Sequence, residues 1–145
     1  MASLSVQAVR DRIDDYLVAG SYVRSRWSFD LFGKDTQYLL HKSFAVGCPQ
    51  TGFTPPDDRR RLSAVGIADT VVIVKTAYQL KGDDQVADYD LGLGHEQAVI
   101  QRVLGLSTTD LWIRLLAVDL RQVSPTGEWF TTTIRFSVQH RYAYV

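Results

Sequence analysis

The sequence predicts an α+β domain: a mostly antiparallel sheet of four or five strands, with two helices packed on one face. Three observations lead there. The chain alternates cleanly over Trp129–Tyr144, which is strand periodicity. Two separate stretches, near residues 4–19 and 91–104, repeat apolar residues at three- and four-residue steps, which is helix periodicity. The elements do not alternate strand–helix–strand as a parallel βαβ sheet requires, so the strands pair antiparallel with the helices to one side. The length of 145 residues fits a single domain spanning 1–145, large enough to bury a core without staples.

The first helix places Leu4 or Val6, Val9, Ile13, Tyr16 and Leu17 on one stripe, with Arg10, Asp11, Asp14 and Asp15 opposite, facing solvent. Ser3 or Ser5 can cap its start, and Gly20 stands where a left-handed C-terminal cap belongs. A strand is expected within Tyr22–Phe29 and another over Gln37–Val46, where Lys42 breaks an otherwise apolar face. Residues 47–69 read as one long loop, with Gly47, Pro49, Gly52, Pro55, Pro56 and Gly66 around an Asp-Asp-Arg-Arg-Arg run. Thr70–Leu80 (TVVIVKTAYQL) is β-branched and predicts a strand whose first half is covered on both faces.

The second helix is expected over Leu91–Leu104, capped by Asp88 or Asp90 and closed at Gly105. Gly92 and Gly94 weaken its first turn, which allows a start as late as His95. Leu111–Val123 and Trp129–Tyr144 form the closing hairpin around Ser124-Pro125-Thr126-Gly127. Thr108-Thr109-Asp110 could instead cap a helix, but the strong partner strand favours the hairpin.

Charge and composition narrow the function classes. Sixteen basic and sixteen acidic residues cancel, against the basic excess of a dedicated nucleic-acid binder. Cys48 is the only cysteine, so a disulfide within the chain and a cysteine-rich zinc site are excluded, and a reducing cytoplasm is the expected compartment. No stretch approaches the roughly 18 apolar residues of a membrane helix, and the first residues do not read as a secretory signal.

No catalytic constellation is evident. Cys48 with His41, His95 or His140 would supply a thiol and a base, but no signature joins them. The histidines lack metal-ligand spacing, and His140 falls on an apolar face as a core histidine would. Asp88-Tyr89-Asp90-Leu91-Gly92 resembles a calcium loop but misplaces its later ligands, so helix capping explains the aspartates better. Gly92-Leu93-Gly94 lacks the third glycine of a dinucleotide site. The expectation is no enzyme, no cofactor and no metal.

Surfaces then carry the expected function. Arg59, Arg60 and Arg61 could meet an acidic neighbour or phosphates, although Asp57 and Asp58 leave a local charge of only +1. The outward face of the last strand combines Trp129, Thr131, Thr133 and Arg135, with Trp129 as an aromatic anchor suited to docking another subunit.

The order of elements also resembles a known family. The VQAVRDRIDDYL helix, the TVVIVKTAYQL strand, the HEQAVIQRVL helix and the hairpin through SPTGEW into FTTTIRFSVQHRY are similar to the tail-terminator (tail-completion) proteins of long-tailed bacteriophages. That resemblance implies a structural subunit that forms a hexameric ring. The ring caps the tail tube, ends its polymerisation and joins it to the head-side connector. It implies assembly in the bacterial cytoplasm and residence in the virion tail or neck. The implied partners are further copies, the tail-tube protein and the connector. No membrane and no sequence-specific nucleic acid is expected, although DNA can pass through such a ring. The 47–69 loop would lie between ring neighbours. A head–tail connector or neck protein is the alternative, and a small α+β enzyme or ligand-binding domain a second one, requiring His41, Cys48 and His140 to converge.

Overall fold

The computed structural model describes residues 4–25, 39–54, 65–82, 84–108 and 110–143. The order is α1 (Val6–Ala19), β1 (Val23–Arg24), β2 (Ser43–Thr54), β3 (Val65–Gln79), α2 (Gln85–Leu104), β4 (Leu111–Val123) and β5 (Trp129–Ala143). The five strands form one sheet in the order β1-β2-β3-β5-β4, antiparallel except for the short parallel β1–β2 pair. The fold is α+β, as the sequence predicts. Among the described residues, no helix is long and apolar enough to cross a membrane.

β3 and β5 carry the centre of the sheet, in unbroken register from Val65↔Ala143 to Gln79↔Trp129. Phe44, Val46, Val72, Val74, Ile134, Phe136 and Val138 pack against Val9, Ile13, Leu17, Val99 and Val103 of the helices. Burying such side chains is the main source of stability, about 1.5–3 kcal/mol for each one fully removed from water. His140 is held in this layer. Its Nδ1–H donates to the Leu4 carbonyl at 3.0 Å, which leaves Nε2 to accept from Thr70 Oγ1 at 2.8 Å.

Helix ends depart from expectation in instructive ways. Ser5 caps α1, accepting from Ala8 N. Gly20 is not left-handed (φ −86°); the left-handed residue is Ser21 (φ 72°). Glycine is needed at 20 for space instead. A Cβ there would sit 2.7 Å from Arg102 Nε, and Arg102 reaches in to hydrogen-bond the Tyr16 carbonyl and stack on the Tyr16 ring. A cation thereby satisfies the carbonyl end of α1. Asp14, expected in solvent, is buried beneath Arg24, which pairs with it. α2 starts six residues earlier than expected, because Asp84 caps it by accepting from Val86 N and Ala87 N. Asp88 instead accepts from Gly82 N at 2.8 Å, and Asp90 is exposed.

The expected 47–69 loop is strand at both ends. β2 continues through Thr54, and β3 begins at Val65. A bulge between Gly47 and Gln50 lets the ladder pass Cys48-Pro49, so a proline without a donor interrupts the pairing without ending it. Lys42 is no flaw in a strand either, since it lies in the turn before β2 at φ 57°. The expected strand at 22–29 is described only as Val23–Arg24, and residues 26–38 lie outside the described residues.

Candidate functional site: an apolar edge and an aromatic groove

The residues named for a thiol–histidine site do not meet. His41 accepts from Gln79 N at one end of β3, whereas His140 bonds Thr70 nine residues earlier, about 30 Å along a strand. Cys48 sits between these stations at the β2 bulge, packed against the core, where burial raises its thiol pKa and opposes thiolate formation.

The outward face of β5 is less open than its sequence suggests. Trp129 is only 8% exposed, because Leu39 and Ala77 close over it in a small second core. It is therefore no surface anchor. Thr131 and Thr133 are half-buried, and Arg135 is exposed and pairs with Asp119 at 3.3 Å. Arg59, Arg60 and Arg61 lie outside the described residues.

Two other surfaces stand out, and the sequence reading singled out neither. The first is β4, an edge strand of 13 residues. Along it Trp112 (51% exposed) and Leu120 (54%) stand on the outward face, opposite Gln139 and Thr133, Leu115 and Val123 stand exposed on the helix-side face, opposite Phe136 and Phe130, and Leu116 is exposed at the bulge after Leu115. Exposed apolar side chains on an edge strand are a liability for a solitary chain. Register breaks at Leu115/Ala117 and Val118/Leu120 kink the strand. A neighbour would therefore be gripped through side chains more than through an added ladder of backbone bonds.

The second is a groove of about 610 Å³ beside α2, walled by Tyr22, Tyr78, His95 and Leu91 and floored by Gly94 and Ala98. Lys42 and Asp90 stand at its sides. Tyr78 ties two histidines together, its ring 4.7 Å from His41 and 5.1 Å from His95. Burial lowers the His95 pKa to about 4, with His41 and Lys42 adding to the effect. His41 is lowered as well, by burial first and Lys42 second. Both rings are thus neutral at pH 7.

The tautomer of His95 follows from its partners. Thr76 Oγ1 spends its hydrogen on the Ser43 carbonyl at 3.0 Å, so His95 Nε2–H must donate to Thr76 Oγ1 at 2.6 Å. Nδ1 is left as an acceptor with no partner among the described residues.

Next along α2, Glu96 is buried beside His95. It accepts two hydrogen bonds from Arg121 at 2.8 Å each and one from Thr132 Oγ1 at 3.0 Å, which fixes α2 to β4 and β5. A second concavity of about 600 Å³ lies between the first turn of α2 and the β4–β5 turn, with Val86, Tyr89 and Val123 on its walls. Among the described residues, no cluster of three metal-ligating side chains forms. Neither a protein-family model nor a curated protein matches this chain.

Proposed function

We propose that this chain is a self-assembling structural subunit of the tail-terminator kind: a ring, six copies by resemblance, that caps a phage tail tube and meets the head-side connector. The observation that carries the reading is the set of exposed apolar side chains along the β4 edge. Trp112, Leu115, Leu116, Leu120 and Val123 are exposed, on both faces, along a strand that has no second strand neighbour among the described residues. Their burial between copies would supply the association energy. The balanced charge of sixteen against sixteen puts no net self-repulsion in the way of association. A neck protein would use the same edge and differ only in which neighbour it meets.

The test is native mass spectrometry with negative-stain imaging of the full chain, alone and mixed with tail-tube protein. The expected outcome is a closed ring that binds the tube end. A monomer at high concentration in both conditions would overturn the reading, and a ring that binds a connector but not the tube would assign it to the neck.

A further inference from the structure

We infer that the groove beside α2 is the socket for the β4 edge of the next copy, with Trp112 as the inserted side chain. This deepens the self-assembly reading and rests on it.

Gly94 is the first observation. A glycine inside a helix costs about 1 kcal/mol relative to alanine. Gly92, two residues earlier, is required by the fold, since a Cβ there would lie 2.6 Å from Phe130 Cγ. At Gly94 a Cβ would meet nothing within 4 Å. No neighbour within the described chain explains it, yet it forms part of the groove floor. Close approach by a group beyond the described residues does explain it, and a second copy supplies one.

His95 is the second. It is 6% exposed and lines the groove, and its Nδ1 is an acceptor with no partner among the described residues. A guest must offer an N–H or O–H donor on a body that fits between Tyr22 and Tyr78. An indole has that form: a flat apolar ring with one donor and no acceptor.

The third observation identifies the guest's source. Trp112 is the half-exposed indole on β4, at the sheet edge opposite β1 and β2. Arg114 lies over its ring at 5.1 Å, and its hydrogen bond among the described residues is a long one, 3.5 Å to Ser137 Oγ. Asp90 at the side of the groove has no cation against it among the described residues. Guest and socket are therefore complementary in hydrogen bonding and in apolar character, and Arg114 has Asp90 to pair with in a groove that Lys42 also lines. Because guest and socket are different surfaces of one chain, each copy offers one of each, as a head-to-tail ring requires.

The test uses two full-length variants. Trp112→Ala removes the guest and keeps the socket. Gly94→Gln fills the socket and keeps the guest. Each is expected to weaken self-association by roughly tenfold or more, the loss typical of an interface hot spot. Gly94→Gln should at the same time hold or raise the melting temperature of the monomer, because it replaces a helical glycine. An equimolar mixture should give a dimer of unlike variants and no larger species, since only one competent contact can form. A Gly94→Gln chain that assembles like wild type, or a mixture that stays monomeric, would overturn the inference while leaving self-assembly standing. If the melt shows that either variant fails to fold, Arg114→Glu and Asp90→Arg replace the pair. Each should weaken association alone, and together in one chain they should restore it; no restoration overturns the inference. A wild-type chain that never assembles would defeat the underlying reading instead.

Discussion

Two neighbouring residues of α2 show how differently a side chain can be constrained. Gly92 faces the Phe130 ring so closely that any Cβ must displace it. Gly92→Ala therefore gains about 1 kcal/mol of helix propensity and loses more to overpacking, whose usual cost is about 1–3 kcal/mol. The expected outcome is a lower melting temperature by circular dichroism. At Gly94, alanine should do the reverse. His95 carries a pH signature. Its folded pKa, about 4, lies below the ordinary value of 6.5, so the fold favours the neutral ring. That contribution is intact above pH 6.5 and is lost as pH falls from 6.5 to 4, reaching about 3 kcal/mol at 1.36 kcal/mol per pH unit. The stretch from pH 6.5 to 5 is diagnostic, because carboxylates titrate mostly below it. Denaturant melts across that range should show a slope in wild type that His95→Gln reduces, leaving the share of His41, whose pKa is also lowered. Nothing in the spelling His95-Glu96 signals this. The burial and the neighbours come from Tyr78, Tyr22 and His41, which are distant in sequence.

At the scale of elements, α2 is anchored to the sheet through Glu96. This carboxylate is 4% exposed and depends on Arg121 and Thr132 for its hydrogen bonds. Removing Arg121 leaves a buried charge short of partners. The full penalty for such a loss is about 3–5 kcal/mol, but the Arg121 side chain is 44% exposed and screened by water, so Arg121→Ala should cost roughly 1–2 kcal/mol. Urea unfolding would read that loss, and Glu96→Gln in the same background should recover part of it by removing the stranded charge.

Element type was legible wherever one face was consistently apolar: β5, the second half of β3, and the stripes of both helices. Boundaries failed where glycine or proline served packing in place of punctuation. Gly47 and Pro49 read as loop, yet the bulge carries β2 past them. Gly92 and Gly94 read as a weak helix start, yet Asp84 had already begun the helix. The candidate surfaces were harder still. Trp129 alternates outward, but its exposure is decided by Leu39, which belongs to a different segment. The exposed β4 side chains were hidden because edge and centre strands look alike in sequence. Only the pairing order of the described strands leaves β4 without a second neighbour.

At the scale of the whole molecule, one contact closes the chain on itself. Leu4 N–H donates to the Arg141 carbonyl at 2.8 Å, and the Leu4 carbonyl accepts from His140 at 3.0 Å. The residue leading into α1 and the last residues of β5 are thereby fixed at a single corner of the domain. In an assembly built by rotation, that corner recurs once per subunit at a constant radius. A fluorophore or affinity handle attached by a short tether near residue 4 or near residue 141 would mark the same circle. The ratio of the shortest to the longest spacing on that circle, read by distance spectroscopy, would count the subunits without any image of the particle.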